Sequence, residues 1–372
     1  MTISLATNRA EAYSNHATML KENGQLDEAV DSYLQALAIK PDYAEAYGEL
    51  GNVFKEQGKL DKAIASYRQA LTLKPDYAKA YINLGVVLHE GGLLAEAAAN
   101  YKRALAIQAD YVAAHFNLGA LHMSLGETED ALHYFRTAIT IKPDLAPAAH
   151  MISVLEGKTT QSAPHEYIKD LFNNYANNFE NHLVNKLEYT APRALFQKYI
   201  TLVGNDRQRI RRAIDLGCGT GLNGKLFRQV ADSLIGVDLS DKMLDIASSK
   251  NIYTDLYQAD IVSFLEESAE LYDLFLATDV FVYVGDLEMV FKAIKSRSLP
   301  GAYFAFSTER HDGAGFVLQK STRYAHSREY IQSLCNHFGF QVVLCEAVNL
   351  RKDQEVWVLG DLFIAQLVTN WQ

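Results

Sequence analysis

A period of 34 residues governs the first 145 positions of the chain. Gly24, Gly58, Gly92 and Gly126 recur at that spacing, and so do Ala29, Ala63, Ala97 and Ala131. One large aromatic position reads Tyr33, Tyr67, Tyr101 and Phe135. Two small positions flank it: Ala36, Ala70, Ala104, Ala138, and earlier Ala17, Gly51, Gly85, Gly119. A closing position reads Pro41, Pro75, Ala109 and Pro143, so the third unit departs from the pattern. Self-similarity at such a period specifies a stack of identical supersecondary units. Small residues let two antiparallel helices approach, and the aromatic fills the gap between hairpins. The middle glycine ends the first helix in a left-handed conformation, and the proline stops the second.

This pattern resembles the tetratricopeptide (TPR) repeat, four in number. Each hairpin of such a stack buries its faces only against neighbours, so the end needs a cap. The segment 145–156, LAPAAHMISVLE, has helical apolar spacing and is expected to supply it. The resemblance implies a concave groove that holds a peptide or protein. Asn15, Tyr47, Asn83, His115 and Asn117 are its candidate lining residues, with Asn83 and Asn117 at the same repeat position. They could equally be solvated polar residues of the helices.

At 372 residues the chain has room for two to three domains. Its net charge of −10 and lack of a long basic run argue against nucleic acid as the main partner. Three cysteines, Cys218, Cys335 and Cys345, form neither a disulfide framework nor a metal-ligand spacing, and no metal is expected. There is no signal-peptide pattern, and no apolar run reaches membrane-spanning length. A cytoplasmic location is the expectation. Residues 157–166, GKTTQSAPHE, are polar with Gly and Pro and read as a hinge. The domains expected are residues 1–157 (repeats and cap), 158–205 (linker and helical lead-in) and 206–372.

From Arg211 the pattern becomes strand, helix, strand, helix, which signals a parallel sheet with crossovers. Strands are expected near 212–216, 233–238, 254–258, 272–277, 301–308, 341–348 and 356–368, the last two antiparallel. Helices are expected near 192–203, 221–230, 240–250, 286–297 and 327–338. The fold class is thus multidomain: an all-α repeat superhelix followed by an α/β Rossmann-like domain. The seven-stranded, mostly parallel layout with a reversed final strand resembles class I methyltransferases.

The segment AIDLGCGTG carries the most chemistry. A short apolar strand ends at Asp215, and Gly217, Gly219 and Gly221 follow at alternate positions. Such a turn lets backbone approach a ligand at the N-terminus of the next helix. A dinucleotide fingerprint would need its third glycine where Leu222 stands. The G-x-G-x-G spacing after Asp215 resembles methyltransferase motif I instead, with Cys218 and Thr220 inside the loop. Asp238 ends the second strand in GVDLS, where a carboxylate accepts both ribose hydroxyls. Ser240 also reads as an N-cap there, with Leu239 and Met243 as apolar neighbours. Asp260 ends the third strand; the resemblance implies that it takes the adenine amino hydrogen, with Ile261 against the ring. Thr278, Asp279, Val280 and Tyr283 follow the fourth strand and face the transfer site by the strand-end rule. No Asn/Asp-Pro-Pro-aromatic motif stands there, which lowers the odds of an amide or exocyclic-amine acceptor. No glutamate pair stands there to grip a guanidinium.

Taken together, 177–192 (NNFENHLVNKLEYTAP), the glycine loop, 278–287 (TDVFVYVGDL), 323–331 (RYAHSREYI) and Arg351 resemble a bacterial family of TPR-containing methyltransferases. The resemblance implies S-adenosylmethionine as methyl donor. Tyr175, Phe179 and His182 of the lead-in would cover it. Tyr283 and His326 are candidate catalytic groups, His326 as a general base or as a residue that ties its loop down. Arg323 and Tyr324 are candidate substrate contacts, Arg323 for an acidic group, and His311 is a weaker candidate base. The expected activity is methyl transfer to a small-molecule, peptide or carrier-bound acceptor, with the repeats recruiting a protein or peptide. The alternative is a non-catalytic adaptor that senses S-adenosylmethionine.

Overall fold

The computed structural model describes residues 2–176, 179–203, 210–353 and 356–368, with main chain alone for 2–6 and 185. The chain divides into two compact units, residues 1–152 and 153–372. No helix among the described residues is long and apolar enough to cross a membrane.

The first unit is built of paired helices: α1 (Thr2–Glu22) with α2 (Leu26–Ile39), α3 (Ala44–Glu56) with α4 (Leu60–Leu73), α5 (Ala78–Glu90) with α6 (Leu94–Ile107), and α7 (Val112–Ser124) with α8 (Thr128–Ile141). The four period-defining glycines have φ between 70° and 77°. The N–H that follows each turns back to a carbonyl of the preceding helix, as in Lys59 to Phe54 (2.8 Å) and Leu93 to Leu88 (2.8 Å). Carbonyls left free at the helix end are satisfied in this way. The third unit closes without proline, yet Gln108 N–H still bonds Ala104 O at 2.8 Å, as Lys74 N–H does Ala70 O. Helix-ending hydrogen bonds therefore suffice where Ala109 stands.

Small and aromatic positions meet directly. A Cβ on Gly85 would lie 2.5 Å from the Tyr101 ring, and one on Gly119 would lie 2.8 Å from Phe135. Because Tyr101 and Phe135 are buried, neither ring can yield cheaply. We expect Gly85→Ala to destabilise this unit by about 1–3 kcal/mol, read as a lowered midpoint in thermal unfolding followed by helical circular dichroism. α9 (Ala146–Leu155) follows, and the unit boundary falls within it.

The second unit opens with α10 (His165–Tyr175), a π-helical turn (Asn181–Lys186) and α11 (Ala191–Val203). Then come β1 (Ile210–Leu216), α12 (Leu222–Phe227), β2 (Ala231–Asp238), α13 (Asp241–Ser249), β3 (Asp255–Gln258), α14 (Ile261–Glu267) and β4 (Tyr272–Ala277). A 3-10 turn (Phe281–Tyr283) leads to α15 (Glu288–Ser296), β5 (Ser298–Arg310), β6 (Phe316–Leu318), β7 (Tyr324–His326), α16 (Arg328–Phe338), β8 (Phe340–Asp353) and β9 (Val356–Leu367). Strands β3-β2-β1-β4-β5 pair in parallel, and β9 runs antiparallel to both β5 and β8. The expected seven strands are all present, and β7, parallel to β5, with β6 antiparallel to it extends the sheet to nine.

Alternation splits the core between the sheet's two faces. Ile214, Phe275, Phe304 and Phe306 pack with residues of α14, α15 and α16, whereas Ala213, Leu274, Leu276 and Ala305 pack with α11 and α12. Three elements were not foreseen. α14 is seven residues long, and its cap is Asp260, the residue expected to face the adenine. β6 and β7 are three residues each, too short for any period to register. Part of the polar segment 157–166 is held to this part of the second unit. Gln161 O accepts from Gly285 and Asp286 N–H (both 2.8 Å), Ala163 N–H donates to Tyr283 O (2.9 Å), and Leu318 N–H donates to Thr159 Oγ1 (3.2 Å).

Candidate active site

The loop after β1 is forced into its shape by glycine. Gly217, Gly219 and Gly221 have φ of 68°, 52° and 92°, a region L side chains enter only with strain. The N–H groups of Gly217 and Cys218 donate to Val237 O at 2.8 and 3.0 Å, locking the turn to the end of β2. A Cβ on Gly217 would also strike Val280 at 2.5 Å, whereas one on Gly219 would meet only Phe179, at 4.0 Å. The loop is packed on one side and open at Gly219. Cys218 is buried within it, and burial pushes its thiol well above the usual range.

Asp215 lies beneath this loop, fully buried. Its carboxylate accepts from Tyr253 OH (2.7 Å) and Asn223 Nδ2 (3.1 Å); the same amide donates to Thr278 Oγ1 (2.6 Å). Burial pushes Asp215 up to about 7, against these hydrogen bonds. Between pH 4 and 7 the folded chain therefore holds a proton that the unfolded chain has lost. Stability of the second unit should fall by a few kcal/mol across that window and level off above it. Asp215→Asn should flatten the slope, measured by urea unfolding followed by tryptophan fluorescence. The two tryptophans of the sequence, Trp357 and Trp371, both come after residue 152, so the repeats contribute no tryptophan to the signal.

The ends of β2 and β3 supply two more carboxylates. Asp238 Oδ2 accepts from Gly219 N–H (2.8 Å) and Oδ1 from Ser240 N–H (2.9 Å). Ser240 caps α13 by accepting from Met243 N–H (3.1 Å), and its hydroxyl donates to Asn173 Oδ1 of α10 (2.5 Å). Asp260 caps α14 through Ser263 N–H (2.9 Å) and stands 3.4 Å from His165 Nε2 of α10.

The lead-in lies across these strand ends. Glu180 accepts from Thr220 Oγ1 (2.5 Å) and from Lys250 Nζ, which also donates to Thr220 O (2.6 Å). Phe172, Phe179 and Tyr175 meet edge to face, Phe172 packs the same way on Tyr283, and the Tyr175 hydroxyl bonds His182 Nδ1. A cavity of about 560 Å³ remains between this aromatic layer and the strand ends, a size suited to a small-molecule ligand. Gly217, Cys218, Gly219, Thr220, Asp238, Leu239, Asp260 and Ile261 line one part of it, and Thr278, Asp279, Tyr283, Arg323 and Arg351 another.

That second part is a buried ionic cluster. Asp279 has a φ of 58°, held by its N–H donating to Ser307 Oγ (3.0 Å). Its Oδ1 accepts from Arg351 Nη1 (2.5 Å), and Arg351 Nη2 donates to Glu309. Burial pushes Glu309 upward against the nearby arginines.

Residues 187–344 match the model of a methyltransferase domain, and residues 18–58, 51–92 and 87–126 match that of a TPR repeat, with 112–145 matching a tetratricopeptide repeat. The chain joins tetratricopeptide repeats to a class I S-adenosylmethionine-dependent methyltransferase domain. A ubiquinone biosynthesis O-methyltransferase of Bordetella avium (strain 197N) is 30% identical over 133 residues, covering 32% of this chain and 55% of its own length. A trans-aconitate 2-methyltransferase of Rhizobium leguminosarum bv. trifolii (strain WSM2304) is 35% identical over 100 residues, 26% of this chain and 38% of its own. The chain spans about half the length, or less, of these curated relatives. The solved magnesium protoporphyrin IX methyltransferase from Synechocystis PCC 6803 has a TM-score of 0.43 at 15% identity, covering 54% of this chain and 96% of that one.

Several expected site residues of the methyltransferase domain stand elsewhere. Asp215, Gly221 and Met243 are buried and lie off the cavity wall. His326 and Tyr324 are also off the wall and buried. The His326 Nε2 faces the carbonyls of Gly285 (2.9 Å) and Val284 (3.0 Å), and burial pushes the ring down to about 4. The ring thus has the loop-tying geometry rather than that of a base reaching an acceptor. Tyr324 OH bonds Thr160 Oγ1 (2.5 Å), and His311 is off the wall too. Sequence reasoning missed Tyr253, Asn223, Glu180, Lys250 and Glu309. Two glycines did signal Tyr253: a Cβ on Gly224 would lie 2.5 Å from its ring, and one on Gly236 would lie 3.1 Å away.

In the repeats, Asn83 Nδ2 donates to Asn52 Oδ1 (2.8 Å), which also accepts from Tyr67 OH (2.7 Å). His115 Nε2 lies 2.9 Å from Ala109 O. These two candidates are engaged within their own unit. Asn15 is exposed, and Tyr47 and Asn117 are half-buried.

Proposed function

We propose that this chain is an S-adenosylmethionine-dependent methyltransferase acting on a small-molecule, peptide or carrier-bound acceptor, with the repeats recruiting a protein or peptide. The observation that carries the reading is the continuity of one cavity, from the open glycine loop to the Tyr283 and Arg323 wall. The residues present fit the donor. Gly219 leaves room that a Cβ would fill, and Asp238 offers its carboxylate on the wall to the ribose hydroxyls. Asp260 and Ile261, on the cavity wall, would meet the adenine, and Phe179 and Tyr175 would cover the donor. When bound, the donor supplies an electrophilic methyl group on a sulfonium. The chain's own contribution is to align the acceptor and to exclude water. Tyr283 and Asp279 orient the acceptor, and Arg323 holds its acidic group.

Calorimetric titration of the full chain with S-adenosylmethionine, followed by labelled transfer to proteins retained on the immobilised full chain, tests this. Donor binding with transfer supports the reading. Absence of donor binding sinks it, and donor binding that changes partner retention without any transfer favours the sensor instead.

A further inference from the structure

The two arginines on the cavity wall are used differently. Arg351 is fully buried and spends Nη1 and Nη2 on Asp279 and Glu309. Arg323 follows Thr322, whose φ is 66°, in the tight turn between β6 and β7. Gln319 N–H donates to Arg323 O (2.8 Å) and Thr322 N–H to Gln319 O (3.0 Å), so the base of the side chain is fixed. Its side chain is three-quarters buried, yet its nearest acidic partner, Glu309 Oε1, is 3.9 Å away and already engaged by Arg351. No hydrogen bond engages the Arg323 guanidinium among the described residues. A forked set of donors facing a cavity in this state asks for a planar, two-oxygen anion.

The neighbouring wall bears on which atom takes the methyl group. The His326 ring is turned onto backbone carbonyls, Asp279 Oδ1 lies in the fork of Arg351, and His182 Nδ1 is bonded to Tyr175. A carboxylate is the acceptor that needs no base, because it attacks as the anion it already is. Aromatic residues share this wall: Tyr283, with Phe172 packed edge to face on it, and Tyr189.

Resting on the function proposed above, we infer that the acceptor is a carboxylic acid with an aromatic or aliphatic body, seated on Arg323, and that its carboxylate is the methylated group. One carboxylate oxygen forms a bond to the methyl carbon as the carbon–sulfur bond breaks. The bonding pair goes to sulfur, the sulfonium becomes a neutral thioether, and no proton moves. The products are a methyl ester and S-adenosylhomocysteine.

The full chain with methyl-labelled donor is offered phenylacetic, cinnamic and octanoic acids, with their amides, alcohols and phosphonates as matched controls. Label is then read before and after mild alkali, which releases methanol from an ester and leaves ethers and N-methyl groups intact. Alkali-labile label on acids but not on controls supports the inference. So does an at least tenfold rise in KM for the acid in Arg323→Met, partly rescued in Arg323→Lys, with donor affinity kept. Alkali-stable label, equal transfer to amides or phosphonates, an unchanged KM in Arg323→Met, or no transfer to any acid while donor is bound overturns it. Failure to bind donor overturns the proposed function instead.

Discussion

Asp238→Ala weakens S-adenosylmethionine binding by at least about a hundredfold in calorimetric titration, the largest loss expected of any single change at the donor end. The carboxylate does two things at once. It accepts from the N–H groups of Gly219 and Ser240, fixing the glycine loop to the start of α13. Its remaining lone pairs are those a ribose diol would use. Charge-assisted hydrogen bonds contribute about 1.5–3 kcal/mol each, so losing two or more reaches the hundredfold range. Asp238→Asn keeps the shape and one acceptor oxygen, and should fall between the two. Wild-type affinity in Asp238→Ala would remove Asp238 from the donor site.

The second large effect is on stability. Arg351→Met lowers the unfolding free energy of the second unit by about 3–5 kcal/mol, the usual cost of breaking a buried ion pair from one side. Arg351 is fully buried and is bonded to two carboxylates, Asp279 and Glu309. Without it both would be left in a poorly solvated wall. The sign with pH follows. Burial already pushes Glu309 upward in the folded chain, so without its arginine the variant should regain stability as pH falls and Glu309 becomes protonated. Adding Glu309→Gln to Arg351→Met should recover part of the loss at neutral pH. Urea midpoints read by tryptophan fluorescence, at pH 5 and pH 8, check all three statements.

What was legible in the residues follows from how local each signal is. The repeats were readable because the glycine turn and the Gly85–Tyr101 contact recur at one fixed spacing. The donor end was readable because a strand that ends in a carboxylate before a helix has few places to put it. The acceptor end was not. Glu309 sits inside a long strand, and only the pairings of β5 with β9 and of β9 with β8 bring it near Arg351. The residues alone leave His326 open between a base and a loop tie because β7 is too short to show alternation, and all three of its residues are buried. Asp215 was placed against the donor because an acidic residue before a glycine loop does not reveal which side of the loop it faces. Tyr253 decides that side, and its partners, Gly224 and Gly236, come from two other elements.

The thiol in the glycine loop has a chemical consequence. Cys218 is buried and disfavours its thiolate, and Cys335 is buried as well, while Cys345 is exposed. Oxidants and alkylating reagents act on the thiolate of an accessible cysteine. Peroxide stress or a haloacetamide should therefore mark Cys345 first and leave the loop intact. Any modification that does appear at Cys218, which lines the cavity, would report on how freely a reagent enters that cavity, and a ligand seated there should suppress it.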